Sequence, residues 1–584
     1  MKAAVRTLPI VLILTGLSVC HGLTGGTRPV FSLAVYALFA VAALLTWWSP
    51  RHETPPPGCL RATALLFSYL LARAAFSPLP YLARADIFLM LGCLLIYLLT
   101  ASFLVTARQR MLVVYVLLAL AGVHSVVGVV QAAFGDDFML FGFGRPSMGA
   151  RASGMFISPN HLAGFLEIAG VMGLSVAWWS GRKASVKIFA GYATVVAFIG
   201  LLLTQSRGGV LCAVFSLLVW MGLTLRASFL GGRQGFGRAL VLGVGSVAVL
   251  LSIGGFVVAT HIELRDRLAT AVGRDIRSSN WQAALDQFRL APVFGTGAGT
   301  HLYLGRLFRR PDLQADPIHA HNDYLELLAE YGLVGAACMA VFLVAHAVRA
   351  LRAMRRMARA LCATDEAGDD DFALVIGALA ALTALGAHSF LDFNLHIPAN
   401  ALAMAFVFGI LARPETVADA PAVAETPALG VLPALGGAVL VLTLIAWPGE
   451  FFTERARILV RDGEFPAAVA SATRALRLDP WNPFTCFHLG EAFRLQAELE
   501  PAFADRQAGR QQAERAFQRG LGLFPQDENL LVRRGQVLDR LKRFDEAEAS
   551  FQAALAADPH LEVLRGLYEK HRALRDSPPA ISAP

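Results

Sequence analysis

Charge is scarce in this sequence. Of 584 residues, only 16% are Asp, Glu, Lys or Arg, while 56% are hydrophobic and the mean hydropathy is +0.54. This composition excludes an ordinary soluble enzyme and is typical of a polytopic membrane protein. The net charge of +8 does not require a nucleic-acid partner. Arginines at the ends of membrane spans account for it, and we expect no binding to nucleic acid.

Cysteine patterns and nucleotide motifs are also missing. The seven cysteines are scattered, which indicates neither a disulfide framework nor a zinc spacing. The glycine-rich stretch Gly295-Thr296-Gly297-Ala298-Gly299 matches neither GxGxxG nor GxxxxGK. We interpret it as a turn that permits close packing, and we expect no cofactor.

Long apolar runs are abundant instead. A membrane helix needs about 20 apolar residues. Thirteen candidate spans lie near 7–22, 29–49, 58–76, 85–106, 111–134, 161–180, 186–204, 208–227, 239–260, 333–352, 372–391, 397–413 and 430–448. The third is the weakest, because it contains Arg61 and Arg73. The sequence therefore predicts an all-α protein with about 12–13 spans.

The connections between spans alternate in charge. Basic residues collect in every second connection, which places the N-terminus in the cytoplasm and, after thirteen spans, the C-terminus outside. The opposite face receives polar residues from four segments, near 145–161, 204–209, 261–331 and 391–396. Ionisable groups at a membrane domain are expensive and mark functional sites. We expect the site on this extracytoplasmic face, with 261–331 as its large loop.

Two arginines and a histidine stand out on that face. Guanidinium groups match phosphate oxygens and stay charged, so Arg207 and Arg277 suit a diphosphate. An arginine anchoring a span and a solvated loop charge are the simpler alternatives. His321 is the attractive general base, since histidine ordinarily titrates near pH 7. His319 lies two residues away, a separation that rarely places both rings on one metal, and we predict no metal site.

The end of the sequence is soluble in character and repetitive. Pro525 and Pro559 each end an Ala/Leu-rich stretch and lie 34 residues apart, and Pro480 ends an earlier one. Gly535, Ala547 and the residues between these prolines follow the tetratricopeptide pattern. We predict an α-solenoid of tetratricopeptide repeats over 450–575, with a disordered tail at 576–584. Such grooves usually bind proteins, so a protein partner is expected here.

One stretch carries a family resemblance. His321-Asn322 is followed, after nine residues, by Gly332-Leu333-Val334-Gly335, which resembles the signature of the O-antigen ligase and polymerase family. Further segments that resemble the family follow in the same order: Arg151 to His161 with Asn160, Gln205 to Gly208, Arg277 to Trp281, and Asp392 to His396. The resemblance covers about 130–415 and is absent from the repeats.

The resemblance implies a function. Family members transfer a glycan from a polyprenyl diphosphate carrier to a hydroxyl on lipid A–core, another glycan or a protein, generally without a metal. It implies His321 as the catalytic base and Arg207 and Arg277 as diphosphate ligands. Supporting residues would be Asn322, His319, Arg151, Asn160, Asp392, Gly332 and Gly335. The site would lie on the outer side of a bacterial inner membrane.

Several alternatives remain open. Within the family, the protein could be an O-antigen or exopolysaccharide polymerase, or a protein O-oligosaccharyltransferase. Outside the family, the protein could be a transporter of lipid-linked glycans or a membrane-anchored repeat scaffold, because either would also have this composition. We expect a ligase-like membrane domain over 1–448 and the repeats after it.

Overall fold

The computed structural model describes residues 2–48, 57–134, 138–142, 149–230, 245, 276–314, 316, 318–364, 368–416 and 430–576. Twenty α-helices fall within these ranges. Ten precede the long helix of the site: α1 Lys2–Gly22, α2 Pro29–Leu45, α3 Pro57–Ala75, α4 Pro80–Leu98, α5 Ala107–Phe134, α6 Pro159–Trp179, α7 Ala184–Leu203, α8 Arg207–Leu230, α9 Ile276–Leu290 and α10 His301–Leu307. The other ten are α11 Asp323–Thr364, α12 Asp370–His388, α13 Pro398–Ala412, α14 Val431–Arg461, α15 Phe465–Leu478, α16 Pro483–Leu499, α17 Phe503–Leu523, α18 Glu528–Arg540, α19 Phe544–Ala557 and α20 Glu562–Asp576.

The all-α prediction is confirmed, and the chain is a multi-pass membrane protein. Nine helices of the described ranges are long and apolar enough to cross a membrane, and α13 and most of α1 form shorter apolar helices. The weakest predicted span, 58–76, is the helix α3, but it is not among the nine. The span predicted at 239–260, apart from Gly245, and the loop residues 261–275 lie outside the described residues.

The centre of the bundle is formed by α6. In its most apolar stretch 83% of the residues are buried, against 39% in α7. Helices α7, α8 and α12 pack around α6, and α13 packs against both α6 and α12. A polar residue on α6 is therefore enclosed by protein rather than lipid, which is the setting that intramembrane charges require.

The repeats grow directly out of the last span. Helix α14 runs without a break from the membrane domain to Arg461 and pairs with α15 as the first repeat. The helix pairs α16–α17 and α18–α19 follow, and α20 packs against the last pair. Close helix pairing explains the glycines of the repeat pattern: a Cβ on Gly490 would come within 2.3 Å of the Phe517 ring, and one on Gly535 within 2.9 Å of Phe551.

The repeat domain docks on the membrane domain through aspartates in the turns between its helix pairs. Asp479 accepts a hydrogen bond from Arg84 at 2.7 Å. Asp527 accepts one from Tyr303 at 2.8 Å, and Asp558 lies 2.6 Å from Arg309 in a fully buried ion pair. Tyr303 and Arg309 belong to the loop that follows α9, so the repeats and this loop lie on the same side of the bundle.

Candidate active site

His321 lies just before α11 and is held from two sides. Its Nδ1–H donates to Asp392 Oδ1 at 3.0 Å, and its carbonyl accepts a hydrogen bond from the Trp281 indole at 3.3 Å. The side chain of His321 is 38% exposed, whereas that of Asp392 is 1% exposed. His321 also has a φ of +51°, a left-handed conformation that is uncommon outside glycine and that clusters at functional sites. The hydrogen bond to Asp392 thus holds the ring through Nδ1, and part of the side chain stays exposed.

Asp392 is suited to hold this histidine. Burial disfavours its charged form, but the hydrogen bond from His321 and the nearby His161, His321 and His388 outweigh burial and lower the pKa of Asp392 below its usual range. An ionised carboxylate fixes the Nδ1–H tautomer and stabilises the imidazolium that forms when the other nitrogen takes a proton. The sequence ranked Asp392 only as a supporting residue, and the structure makes it the direct partner of His321.

Asn322 has a structural role. Its side-chain oxygen accepts hydrogen bonds from the amides of Tyr324 and Leu325, both at 3.0 Å, and its amide group donates to the Phe390 carbonyl at 3.1 Å. These contacts cap the N-terminus of α11 and tie it to the Asp392 segment. Asn322 therefore supports the position of His321.

His319 belongs to a second, denser network. It hydrogen-bonds Glu326 at 2.7 Å and stacks on Phe393 with ring centroids 4.2 Å apart. His396 reaches the same Glu326 carboxylate at 3.5 Å and Asp323 at 3.1 Å. Burial opposes a charge on His396, but Glu326 and the hydrogen bond to Asp323 raise its pKa well above the ordinary value. A charged His396 between two carboxylates accounts for the contacts of this network.

The network also bears on metal binding. The sequence offers no third metal ligand beside His319 and His321. In the structure, two further potential metal ligands, Glu326 and His396, lie beside His319. Ligand atoms of His319, Glu326 and His396 lie within 4.8 Å of one another, the one such group found in the described ranges. His321 is not part of it. The third ligand was missed because His396 comes from a segment more than 70 residues away.

Arg207 projects from the first turn of α8, and the turn before it is braced. Arg151 donates to the Thr204 carbonyl at 3.0 Å and to Asn160 Oδ1 at 3.1 Å. Gln205, in the same turn, has a φ of +52°. The supporting positions Arg151 and Asn160 therefore hold the turn that presents the exposed Arg207.

The two glycines after Arg207 serve packing inside the bundle. A Cβ on Gly209 would come within 2.7 Å of Ala163, and one on Gly208 within 3.1 Å of Leu391. Leu391 precedes Asp392 in the chain, so the start of α8 lies against the segment that holds His321. The structure thus brings the Arg207 turn next to the His321–Asp392 pair.

Arg277 lies on α9, one helical turn before Trp281. Because Trp281 hydrogen-bonds His321, α9 brings the backbone of Arg277 near the same region. Its charge acts on His388, which ends α12 directly before the Asp392 segment. Arg277 therefore lies near the region where α8, α12 and the start of α11 meet.

Gly332 and Gly335 shape the helix below His321. Gly332 has a φ of +66° and interrupts α11, and a Cβ there would come within 2.4 Å of the Val293 carbonyl. Gly335 packs against Tyr331 in the same way. The Leu333 and Val334 amides donate to carbonyls of the stretch after α9, at 2.9 and 3.1 Å. The break in α11 thus seats the loop onto the membrane helix.

The glycine-rich stretch is a packing turn, as predicted. Gly295 has a φ of +72°, and its Cβ would lie 2.2 Å from the Glu330 backbone. Gly297 and Gly299 approach Pro78 and Leu82 closely in the same manner. A side chain at these positions would separate the loop from α4 and α11.

Sequence reasoning missed a further histidine–carboxylate pair. His388 hydrogen-bonds Glu167 at 2.8 Å, with side chains 1% and 0% exposed. A glutamate in the middle of the apolar α6 run was a signal that the sequence contained. Phe393 was missed too, although His161, His319 and His321 all contact its ring, with centroids 4.7, 4.2 and 4.8 Å away.

Comparisons with known proteins match two regions of the chain. Residues 192–340 match the O-antigen ligase family, and residues 529–561 match the tetratricopeptide repeat family. None of the curated proteins compared with this chain matches it. Among solved structures, the Arabidopsis OM64 TPR domain is 21% identical, covers 22% of this chain and 98% of that chain, and has a TM-score of 0.20. The chain is therefore similar to the O-antigen ligase family over residues 192–340, which supports glycan transfer of the ligase or polymerase type at a membrane, and a tetratricopeptide repeat region follows.

Proposed function

We propose that the protein transfers a glycan from a polyprenyl diphosphate carrier to an acceptor hydroxyl on the extracytoplasmic face of a bacterial inner membrane. The observation that carries this proposal is the His321–Asp392 pair. One ring nitrogen of His321 donates to a buried carboxylate at 3.0 Å while the side chain stays 38% exposed, which is the arrangement of an oriented general base.

In the proposed reaction, His321 Nε2 takes the proton of the acceptor hydroxyl. The hydroxyl oxygen forms a bond to the anomeric carbon, and the bond from that carbon to the diphosphate oxygen breaks. The electron pair leaves with the carrier diphosphate, whose charge Arg207 and Arg277 would stabilise. The imidazolium then releases its proton to water. A one-step displacement of this kind inverts the anomeric centre.

An apolar cavity near the site supports the proposal of a lipid-linked substrate. A cavity of about 240 Å³ lies between α3, α4, α11, α12 and α13. Its wall is mostly apolar, with Leu70, Met90, Phe342 and Phe408 among the lining residues, and its polar end is formed by the Asp323 and Glu326 network. An apolar cavity that ends beside polar, ionisable groups suits a molecule with a lipid chain and a polar head.

The contacts of the repeat domain support the proposed membrane topology and the proposed division of the chain into two domains. It contacts the loop after α9, and we place both in the periplasm, with the N-terminus in the cytoplasm. We propose a ligase domain over 1–448 and a repeat domain over 450–575, joined within the continuous helix α14. The repeats are proposed to bind a protein, as acceptor or as assembly partner.

The direct test is glycan transfer by the purified, lipid-reconstituted protein. Arg207→Ala and Arg277→Ala should each lower the rate by about 10²-fold or more, because each removes a charge from the leaving diphosphate. Arg310→Ala is the matched control: this arginine is on the same loop, 45% exposed, and pairs with Asp286 at the surface. Wild-type rates in both arginine variants would contradict the assigned diphosphate site.

The reaction subtype is decided in cells that lack the protein. Long glycans left on the carrier would indicate a ligase, whereas single units attached to the acceptor would indicate a polymerase. A transporter would instead move the lipid-linked glycan across vesicles without forming a bond.

A further inference from the structure

An acid in the membrane helix α4 lacks a partner among the described residues. Asp86 lies six residues after Pro80, the first residue of α4, which is about 9 Å along the helix axis. Within the part of the chain that the structure describes, no donor hydrogen-bonds its carboxylate and no basic group forms an ion pair with it. An unpaired carboxylate among apolar residues is costly, and in a membrane helix such a group marks a functional site. Asp86 has no part in the mechanism above.

Asp86 lines the apolar cavity of about 240 Å³ that supports a lipid-linked substrate. The cavity has three other carboxylates in its wall, and each accepts a hydrogen bond from within the protein: Asp323 from Ser389 at 2.7 Å, Glu326 from the Ala320 amide at 2.8 Å and Glu330 from the His301 amide at 2.9 Å. Asp86 is therefore the carboxylate of this cavity whose oxygens are left for a ligand.

The acidic end of the cavity lies close to the proposed base. Asp323 lines the cavity and follows His321 by two residues. The start of α4 packs against the loop that carries His321, since a Cβ on Gly299 would come within 2.8 Å of Leu82. A head group that contacts Asp86 is thus on the side of the bundle where His321 lies.

The charges at this end of the cavity disfavour a phosphate. Of the described residues that line it, none is a lysine or an arginine, and its histidine, His396, is shared between Asp323 and Glu326. A phosphate would meet four carboxylates there, and repulsion between like charges is stronger in apolar surroundings than in water. Arg207 and Arg277, the proposed ligands of the diphosphate, do not line the cavity. The cavity therefore favours a head group that donates hydrogen bonds and carries no negative charge.

We propose that this cavity binds the acceptor, a glycolipid whose lipid chain lies along the apolar wall and whose sugar hydroxyl donates a hydrogen bond to Asp86. The proposal rests on the proposed function, which requires an acceptor hydroxyl near His321. It deepens that function by separating the two substrates: the donor diphosphate lies at Arg207 and Arg277, and the acceptor sugar lies at Asp86. A hydrogen bond from a hydroxyl to a carboxylate is about twice as strong as one between neutral groups, so the ligand supplies the partner that the protein does not.

The test is photolabelling of the full-length protein in nanodiscs by dodecyl maltoside that carries a diazirine in its alkyl chain. Mass spectrometry measures labelling of the peptides that contain Met90 and Phe342, which line the cavity. Asp86→Asn should raise the half-saturating concentration about tenfold, because it removes one charge-assisted hydrogen bond. Asp371→Asn is the matched control, since Asp371 is also a half-buried acid of a membrane helix but accepts the Thr416 amide at 2.7 Å and does not line the cavity. It should be labelled as the wild type is.

A probe with the same chain and a phosphate head group gives a second readout of opposite sign. It should label the cavity peptides of the wild type more weakly than the maltoside probe does. Asp86→Asn should increase its labelling, because the substitution removes one of the repelling charges. A loss of labelling by both probes would show that Asp86 maintains the fold, which overturns the proposal.

Three other outcomes would also be decisive. Unchanged maltoside labelling in Asp86→Asn, or stronger labelling of the wild type by the phosphate probe, would overturn the proposal. A trimethylammonium probe carries charge but has no hydrogen-bond donor, and stronger labelling by it than by the maltoside probe would overturn the sugar ligand. Labelling that depends on Asp86 in a wild-type protein that transfers no glycan would instead overturn the proposed function.

Discussion

Two histidines separated by one residue have different surroundings. His321 has one buried carboxylate, Asp392, and its side chain is 38% exposed. His319 is 24% exposed and shares Glu326 with His396, and Glu326 also accepts the Ala320 amide. The comparison teaches that a carboxylate partner does not by itself identify a base. A base also needs a nitrogen that a substrate can reach, and the greater exposure of His321 is the reason that we propose it, rather than His319, as the base.

The largest effect should come from His321 itself. His321→Ala should lower the rate of glycan transfer by about 10²- to 10⁴-fold, the contribution of a general base. The measurement is transfer by reconstituted protein, with His319→Ala as the paired variant. Equal losses in the two variants would break the distinction between the histidines.

Asp392 should come next. Asp392→Asn keeps the size of the side chain but permits the wrong tautomer of His321, and the rate should fall by about 10²-fold or more. The thermal unfolding temperature should change little by comparison. An unaffected rate would mean that Asp392 only holds the loop.

Substitution of Glu326 should lower stability and change the rate little, which is the opposite of the effects expected for Asp392→Asn. Glu326→Gln removes the charge that His319 and His396 share inside a buried network, so the free energy of unfolding should fall by about 1–3 kcal/mol. The rate per folded molecule should stay within about tenfold of the wild type, because His321 keeps its partner. Chemical denaturation in detergent, together with transfer rates, separates the two effects. A rate loss as large as that of Asp392→Asn would assign the His319 network to the chemistry.

The smallest effect is a pH dependence of stability. The folded protein raises the pKa of His396 above its unfolded value, so the stabilisation is complete below about pH 6.5 and is lost as pH rises through the raised pKa. The thermal unfolding temperature of the wild type should therefore fall at alkaline pH. His396→Gln should remove this part of the dependence, and identical profiles would show that His396 is not charged.

The sequence predicted what local patterns determine. Apolar runs predicted the helices of the bundle, and proline and glycine spacing predicted the repeats. Candidate site residues could be named only where a motif is continuous, as at His321, Arg207 and Arg277, and their roles stay predictions. The Asp392 pairing joins residues 71 apart, and Glu167 meets His388 across 221 residues. Such contacts depend on how helices pack, and hydropathy contains no information about them.

The docking of the repeats was likewise invisible in the sequence. Asp479, Asp527 and Asp558 look like ordinary turn residues, because aspartate is favoured in turns and at helix starts for local reasons. Only the folded chain shows that each meets a donor of the membrane domain. Repetition places these acids at regular intervals along one edge of the solenoid.

That edge has a consequence for delivery of an acceptor. A solenoid fixed at three successive turns cannot swing as a tethered arm, so anything that it holds keeps a set distance and direction from His321. Its effective concentration at the reacting centre would then depend on shape rather than on linker length. A protein acceptor bound by the repeats would then be glycosylated at the positions whose distance from the bound segment matches the distance between the repeats and His321.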